Sequence, residues 1–309
     1  MGKLVVMFPG QGSQYIGMGR EFYDSMPVCR EVYDLASEAS GLDLAKLCFE
    51  ENDQINITEY TQIAMLATEA AIYAALKEQG LKPDVTAGLS LGEYGALIAS
   101  GVLTEKDAFA VVRQRGIFMQ NAVPVGGAMS AVLGLDAEII EEICEKTEGT
   151  VSVANYNCPG QIVITGESRA VASAGDALKE AGAKRIVPLK VSGPFHSPML
   201  QRAGEQLGEV LADVTVAESF LPYVANVTAD YVTDAADVRD LLIRQVASPV
   251  RWQQSVERLI RDGADTFVEV GPGRTLTGFV KKIAKGFPEK TITADHIDTM
   301  EDFKNYVDR

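Results

Sequence analysis

Residues 4–8, LVVMF, form an unbroken apolar run that stops at Pro9-Gly10, the pattern of a buried strand leading into a loop. From Thr61 to Gln79 the sequence TQIAMLATEAAIYAALKEQ is rich in strong helix formers, and Gly80 and Pro83 supply the stop signals. Val85–Leu89 reads as a short strand, and Gly92–Ser100 as a short helix that Gly101 can close. The order is therefore strand, tight turn, helix, with Ser90 in the turn. Asp107–Ala122 predicts another helix, apolar on nearly every side and so expected deep in the fold.

Between Val125 and Leu189 the pattern changes. Met129–Leu133 predicts a strand, Ala137–Thr147 a charged amphipathic helix, Val151–Ala154 and Ile162–Thr165 two strands, Arg169–Glu180 a helix, and Arg185–Leu189 a last strand. That order, β-α-β-β-α-β, is the ferredoxin-like split unit. The expectation is a small ferredoxin-like domain, residues 125–189, inserted into a larger α/β domain made of residues 1–124 and 190–309. The larger domain resumes after Val191 and runs through a strand at Thr266–Val270. No internal repeat of fixed period is present.

Composition narrows the class. The 309 residues are 47% hydrophobic and 23% charged, ordinary values for a folded globular chain. No apolar stretch reaches the ~18 residues of a membrane span, and Leu4–Phe8 is too short for a signal-peptide core, so a soluble, cytoplasmic protein is expected. The cysteines Cys29, Cys48, Cys144 and Cys158 have no CxxC spacing, and with two histidines in the chain no His/Cys metal site is expected. A net charge of −15 argues against nucleic acid, so an anionic ligand must meet locally placed basic groups.

Gly88-Leu89-Ser90-Leu91-Gly92 fits G-x-S-x-G, the elbow in which small flanking residues let a sharp strand-to-helix turn present a serine hydroxyl. The bare pattern is weak, but the strand before it and the helix after it are the context it requires, and the helix N-terminus adds N–H donors beside the serine. A nucleophilic serine needs a base. His196 lies in a loop held by Gly193, Pro194 and Pro198 just after the inserted unit, whereas His296 lies between Asp295 and Asp298 near the end of the chain and reads as a bystander. The loop Pro9-Gly10-Gln11-Gly12-Ser13-Gln14 fails as a dinucleotide fingerprint, because Tyr15 stands where the third glycine belongs. It is either a plain glycine-rich turn or the loop in which Gln11 offers a second oxyanion donor beside the Leu91 N–H. Arg113 and Arg115 share the apolar helix after the elbow. A guanidinium there requires a carboxylate, from the protein or from a substrate, and helical period does not choose between them.

Six segments together resemble one family: Phe8–Gln14, Gly88–Tyr94, Arg115–Gln120, Asn155–Gln161, the His196 loop, and Glu269–Leu276. In order and over nearly the whole chain, they are similar to malonyl-CoA:acyl carrier protein transacylase. The resemblance implies an α/β-hydrolase-like large domain with a ferredoxin-like small domain and the active site between them. It implies Ser90 as nucleophile, His196 as base, the Gln11 and Leu91 amides as oxyanion hole, and Arg115 as the ligand of the malonyl carboxylate. Gln245, in Arg244–Trp252, matches the position whose main-chain carbonyl orients the histidine in place of a triad aspartate. Malonyl-CoA and an acyl carrier protein are the implied partners, with no metal or redox cofactor. Carrier proteins are acidic, so Lys281 and Lys282 on a helix after Gly271-Pro-Gly273 are the first candidates for docking, and Lys184 and Arg185 the second. The family often has histidine before the nucleophile, where this chain has Leu89. A polyketide acyltransferase or a serine thioesterase would use the same elbow.

Overall fold

The computed structural model describes residues 2–191, 193–218 and 220–308. The first strand, β1 (Lys3–Phe8), leads through the Pro9–Gln14 loop to α1 (Arg20–Ser25), α2 (Pro27–Ser40), α3 (Leu44–Phe49) and α4 (Thr58–Glu78). Then come β2 (Val85–Gly88), α5 (Gly92–Ser100) and α6 (Glu105–Ala122). The next stretch holds β3 (Gly127–Leu133), α7 (Ala137–Lys146), β4 (Val151–Cys158), β5 (Gln161–Glu167), α8 (Ser168–Glu180) and β6 (Arg185–Pro188). The chain ends with α9 (Gln201–Ala212), β7 (Tyr223–Val224), β8 (Tyr231–Val232), α10 (Ala235–Gln245), α11 (Trp252–Arg261), β9 (Ala264–Val270), α12 (Thr275–Ile283), β10 (Thr293–Ile297) and α13 (Met300–Val307).

Two sheets organise these elements into an α/β fold. The larger has strand order β10-β9-β1-β2-β7-β8, parallel except for the β7–β8 pair. Successive side chains of a strand point to opposite faces, and in β1 both faces are buried: Val6 and Phe8 enter one apolar cluster, Val5 and Met7 another. That is why residues 4–8 read as a continuous apolar run rather than an alternating one. The smaller sheet, order β4-β5-β3-β6, is antiparallel throughout and has its own cluster against α7 and α8. The expected β-α-β-β-α-β succession is present. The Asn155–Val250 bridge ties β4 to the segment before α11, with Tyr156 N–H donating to the Val250 carbonyl at 2.9 Å.

Helix α4 is buried on every side from Thr61 to Leu76, so its polar members Gln62, Thr68 and Glu69 lie in the interior. In α6 only Lys106 and Asn121 are exposed, as its apolar pattern requires. Thr104 caps α6 by accepting from the Asp107 N–H at 3.1 Å. Among the described residues no helix is long and apolar enough to cross a membrane.

Candidate active site

Adjacent parallel strands β1 and β2 end side by side, which brings the Gln11 loop and the Ser90 turn to the carboxyl edge of the sheet, where open α/β sheets bind ligands. The two glycines of the elbow are steric necessities. A Cβ on Gly88 would lie 1.9 Å from the Gly92 carbonyl oxygen, and one on Gly92 would lie 2.0 Å from that of Phe8. With those approaches made, Ser90 turns the chain at φ 55°, a left-handed conformation costly for a residue with a side chain. Asn226, just beyond β7 on the other side of β2, secures the turn. Its Oδ1 accepts from the Ser90 N–H at 2.6 Å, and its Nδ2 donates to the Gly88 carbonyl at 2.6 Å.

His196 also has left-handed backbone, φ 59°, and its side chain is buried. Ser90 Oγ lies 2.7 Å from its Nε2, and its Nδ1 lies 2.9 Å from the Gln245 carbonyl oxygen. A carbonyl only accepts, so Nδ1 carries the proton and Nε2 is left to accept from the serine hydroxyl. Burial, reinforced by the Arg115 charge, pushes His196 down to about 4 and keeps the imidazole neutral. Ser192, in the same loop, lies outside the described residues.

The two arginines of α6 separate. Arg113 turns to Glu59, donating to its carbonyl at 2.8 Å and to its carboxylate at 3.2 Å, and covers the Tyr60 ring. Arg115, 1% exposed, turns to the serine. One of its nitrogens, Nη2, donates to Ser90 Oγ at 3.1 Å and to Gln245 Oε1 at 2.9 Å, and Nη1 donates to Gln62 Oε1 at 2.6 Å. None of these partners is a carboxylate. Among the described residues no Asp or Glu is within ion-pair distance of it.

A pocket of about 110 Å³ opens at this point, lined by Gln11, Ser90, Leu91 and His196 from the larger sheet's side and by Met129, Asn155 and Leu189 from the smaller. Leu89 also lines it and packs over Gly10. The backbone N–H groups of Gln11 and Leu91 donate to no group among the described residues, while the Gln11 side-chain Nε2 donates to Thr58 Oγ1 at 3.0 Å. His296 remains on β10, 3.8 Å from Asp302, with β9 and β1 between it and the strand that leads to Ser90. The four cysteines are buried free thiols, and burial pushes Cys29 and Cys48 up to about 12. Lys281 and Lys282 lie in the last turn of α12.

Gln62, Glu93, Asn226 and the side chain of Gln245 lie around these groups without having been singled out from sequence. Glu93 Oε2 accepts from Gln245 Nε2 at 2.6 Å and from the Asn226 N–H at 3.2 Å. For Gln62 and Glu93 a signal exists, a polar residue inside a largely apolar helix. Asn226 lies in a short irregular stretch that carries no pattern.

Residues 5–305 match the acyl transferase domain family. The chain is 46% identical over 306 residues to the malonyl CoA-acyl carrier protein transacylase of Bacillus subtilis, covering 97% of this chain and 96% of that one. The chain belongs to the malonyl CoA-acyl carrier protein transacylase family. It is an acyltransferase. A transacylase of this family from Streptococcus pneumoniae has the same fold, with a TM-score of 0.94, 47% identity and 99% of each chain covered. A malonyl-transacylase solved with its type II PKS acyl-carrier protein is similar at a TM-score of 0.94 and 39% identity, again with 99% of each chain covered.

Proposed function

We propose that this transacylase moves the malonyl group from malonyl-CoA to the phosphopantetheine thiol of an acyl carrier protein through a malonyl-serine intermediate, supplying fatty acid synthesis. The observation that carries the reading is the convergence on Ser90 Oγ of a neutral imidazole at 2.7 Å and a guanidinium at 3.1 Å. The first makes the serine a nucleophile. The second places a fixed positive fork where the free carboxylate of a malonyl thioester would lie.

In this reading His196 takes the Ser90 proton as Oγ attacks the thioester carbonyl, and the Gln11 and Leu91 amides hold the oxyanion. Collapse of the tetrahedral intermediate breaks the C–S bond, and the departing thiolate of coenzyme A takes the proton from His196. The carrier thiol then gives its proton to His196 and attacks the ester, and Ser90 recovers a proton as it leaves. The Gln245 carbonyl holds the imidazole throughout. No step calls on a metal or redox cofactor.

The same reading divides the chain into an α/β-hydrolase-like domain, residues 1–124 and 190–309, and a ferredoxin-like domain, residues 125–189, with the pocket between them. The antiparallel order β4-β5-β3-β6 supports the second label. Carrier docking is assigned to the basic residues at one end of the smaller sheet. Leu133 pairs with Gln161 on one side and Arg185 on the other, and Lys282 Nζ reaches Gln161 Oε1 at 3.4 Å. Lys282 and Arg185 therefore lie near the same end of that sheet, with Lys281–Lys282 the first docking candidates and Lys184–Arg185 the second. A cytoplasmic location fits the four free cysteines.

Intact-protein mass spectrometry with malonyl-CoA, followed by phosphopantetheinylated carrier protein, tests the proposal. The expected result is one malonyl adduct on the Ser90 peptide that the carrier removes and then bears. Adduct loss to water with the carrier left unacylated would make the protein a thioesterase. A polyketide carrier accepted in preference to a fatty-acid carrier would move the activity to polyketide assembly.

A further inference from the structure

The mechanism leaves one buried carboxyl at the site without a role. Glu93 lies in the first turn of α5, immediately after the elbow, and is 1% exposed. Its backbone N–H donates to the Ser90 carbonyl at 3.2 Å, but its carboxylate bonds neither Ser90 Oγ nor any residue that lines the pocket. Its Oε2 receives two donors, Gln245 Nε2 at 2.6 Å and the Asn226 N–H at 3.2 Å.

A side-chain amide has two ends, one accepting and one donating, and its direction is set by its neighbours. Gln245 presents Oε1 to Arg115 at 2.9 Å, and its Nε2 to Glu93 and to the Ser90 carbonyl at 2.9 Å. Reversed, the amide would aim N–H groups at the guanidinium, which only donates. We infer that Glu93 is a positioning residue for substrate selection: it fixes the Gln245 amide so that its oxygen holds the Arg115 fork in place to receive the substrate's carboxylate. The inference rests on the proposal that Arg115 receives that carboxylate.

The effect is separable from the hydrolytic machinery. His196 is oriented by the Gln245 main chain, not by its amide. Without Glu93, Asn226 loses the acceptor of its own N–H, but its two side-chain bonds to the elbow and the bond its carbonyl accepts from the Arg251 N–H at 2.9 Å do not pass through Glu93. Loss of the Glu93 acceptor thus loosens Arg115 while Ser90 and His196 stay paired. A carboxylate-bearing donor should suffer and a neutral one should not.

The experiment compares malonyl-CoA and acetyl-CoA acylation in the full-length Glu93→Met, Glu93→Gln and Glu93→Asp variants, with Arg115→Ala as reference. Reaction with a neutral organophosphate reports on the Ser90–His196 pair. Glu93→Met should lower malonyl kcat/KM by about tenfold or more, mostly through KM, with acetyl transfer and organophosphate reaction within about twofold of the parent. Glu93→Gln, which retains an oxygen acceptor, should recover most of the loss. Glu93→Asp, too short to reach Gln245 but still acidic, should fall with Glu93→Met, and it carries the test if the methionine variant does not fold. Equal losses in all three reactions, or no change in any, would overturn the inference. If Arg115→Ala itself leaves the malonyl-to-acetyl ratio unchanged, the failure belongs to the assignment of Arg115 and not to Glu93.

Discussion

The carbonyl oxygen of Gln245 lies 2.9 Å from Nδ1 of His196, where a carboxylate stands in a Ser-His-Asp triad. A neutral acceptor orients the ring and selects its tautomer without adding a charge to hold a proton on it. Burial and the Arg115 charge push the imidazole down to about 4. The acylation rate should therefore be level between pH 6 and 8 and fall only as the pH approaches 4. Arg115→Ala removes a nearby positive charge, so its acid limb should move to higher pH, followed with acetyl-CoA in rapid-quench experiments. An acid limb near 6.5 in the parent would contradict this account of His196. His196→Ala should slow acylation by ~10²- to 10⁴-fold.

Arg115 should set the preference for malonyl over acetyl donors. With acetyl bound, the buried guanidinium has no carboxylate to meet, and an uncompensated buried charge costs on the order of 3 to 5 kcal/mol, a preference of about a hundredfold or more. Arg115→Ala should lose most malonyl transfer while acetyl transfer persists. Arg113→Ala should keep the preference, because Arg113 is engaged with Glu59. Competition between labelled malonyl-CoA and acetyl-CoA measures both, and equal losses for the two donors would make Arg115 a structural residue.

Gly92→Ala should destabilise the protein severely, by about 3 kcal/mol or more, because its Cβ would overlap the Phe8 carbonyl at 2.0 Å and neither backbone can retreat without moving the elbow. Gly101→Ala is the contrast. Its φ of 85° is unfavourable, but nothing lies within 4 Å of the added carbon, so the cost should be only ~1 to 2 kcal/mol. Urea unfolding of the two variants should rank them in that order.

Glu269 accepts from the Leu276 and Thr277 N–H groups at the start of α12, yet burial raises its carboxyl from 4.5 to about 7. A carboxyl raised in the folded state holds its proton after the unfolded chain has lost it. Its contribution to stability is complete below about pH 4.5 and lost as the pH rises through about 7. Glu269→Gln removes that slope. Relative to the parent, the variant should gain stability between pH 5 and 8, by on the order of 3 kcal/mol. The mismatch of its amide with one backbone N–H adds a constant offset. Parallel curves for variant and parent in this range would refute the prediction.

Charge reversal at Lys281 and Lys282 should raise KM for the carrier protein severalfold and reduce its salt dependence, while acylation by malonyl-CoA alone is unchanged. Steady-state transfer at two ionic strengths checks this. An unchanged carrier KM would return these lysines to the solvent.

Local pattern alone determined much of this protein. The apolar run of β1, the helix formers of α4, the glycines around Ser90 and the alternation of elements between 125 and 189 act over a few residues, and the structure keeps them with shifts of a few positions at their ends. That Ser90 and His196 would meet was legible because an elbow advertises itself and histidine is scarce. The remainder required the tertiary structure. Residues 113 and 115 stand about 200° apart on a helix of 3.6 residues per turn, so the helix has to bury one guanidinium toward the serine and send the other elsewhere. Which one is decided by α4, whose Gln62 faces Arg115 while Glu59 captures Arg113. The same holds for Gln245. It is 155 residues from Ser90 in the chain, and its amide acquires a direction only when Glu93 and Arg115 close on it from two other helices.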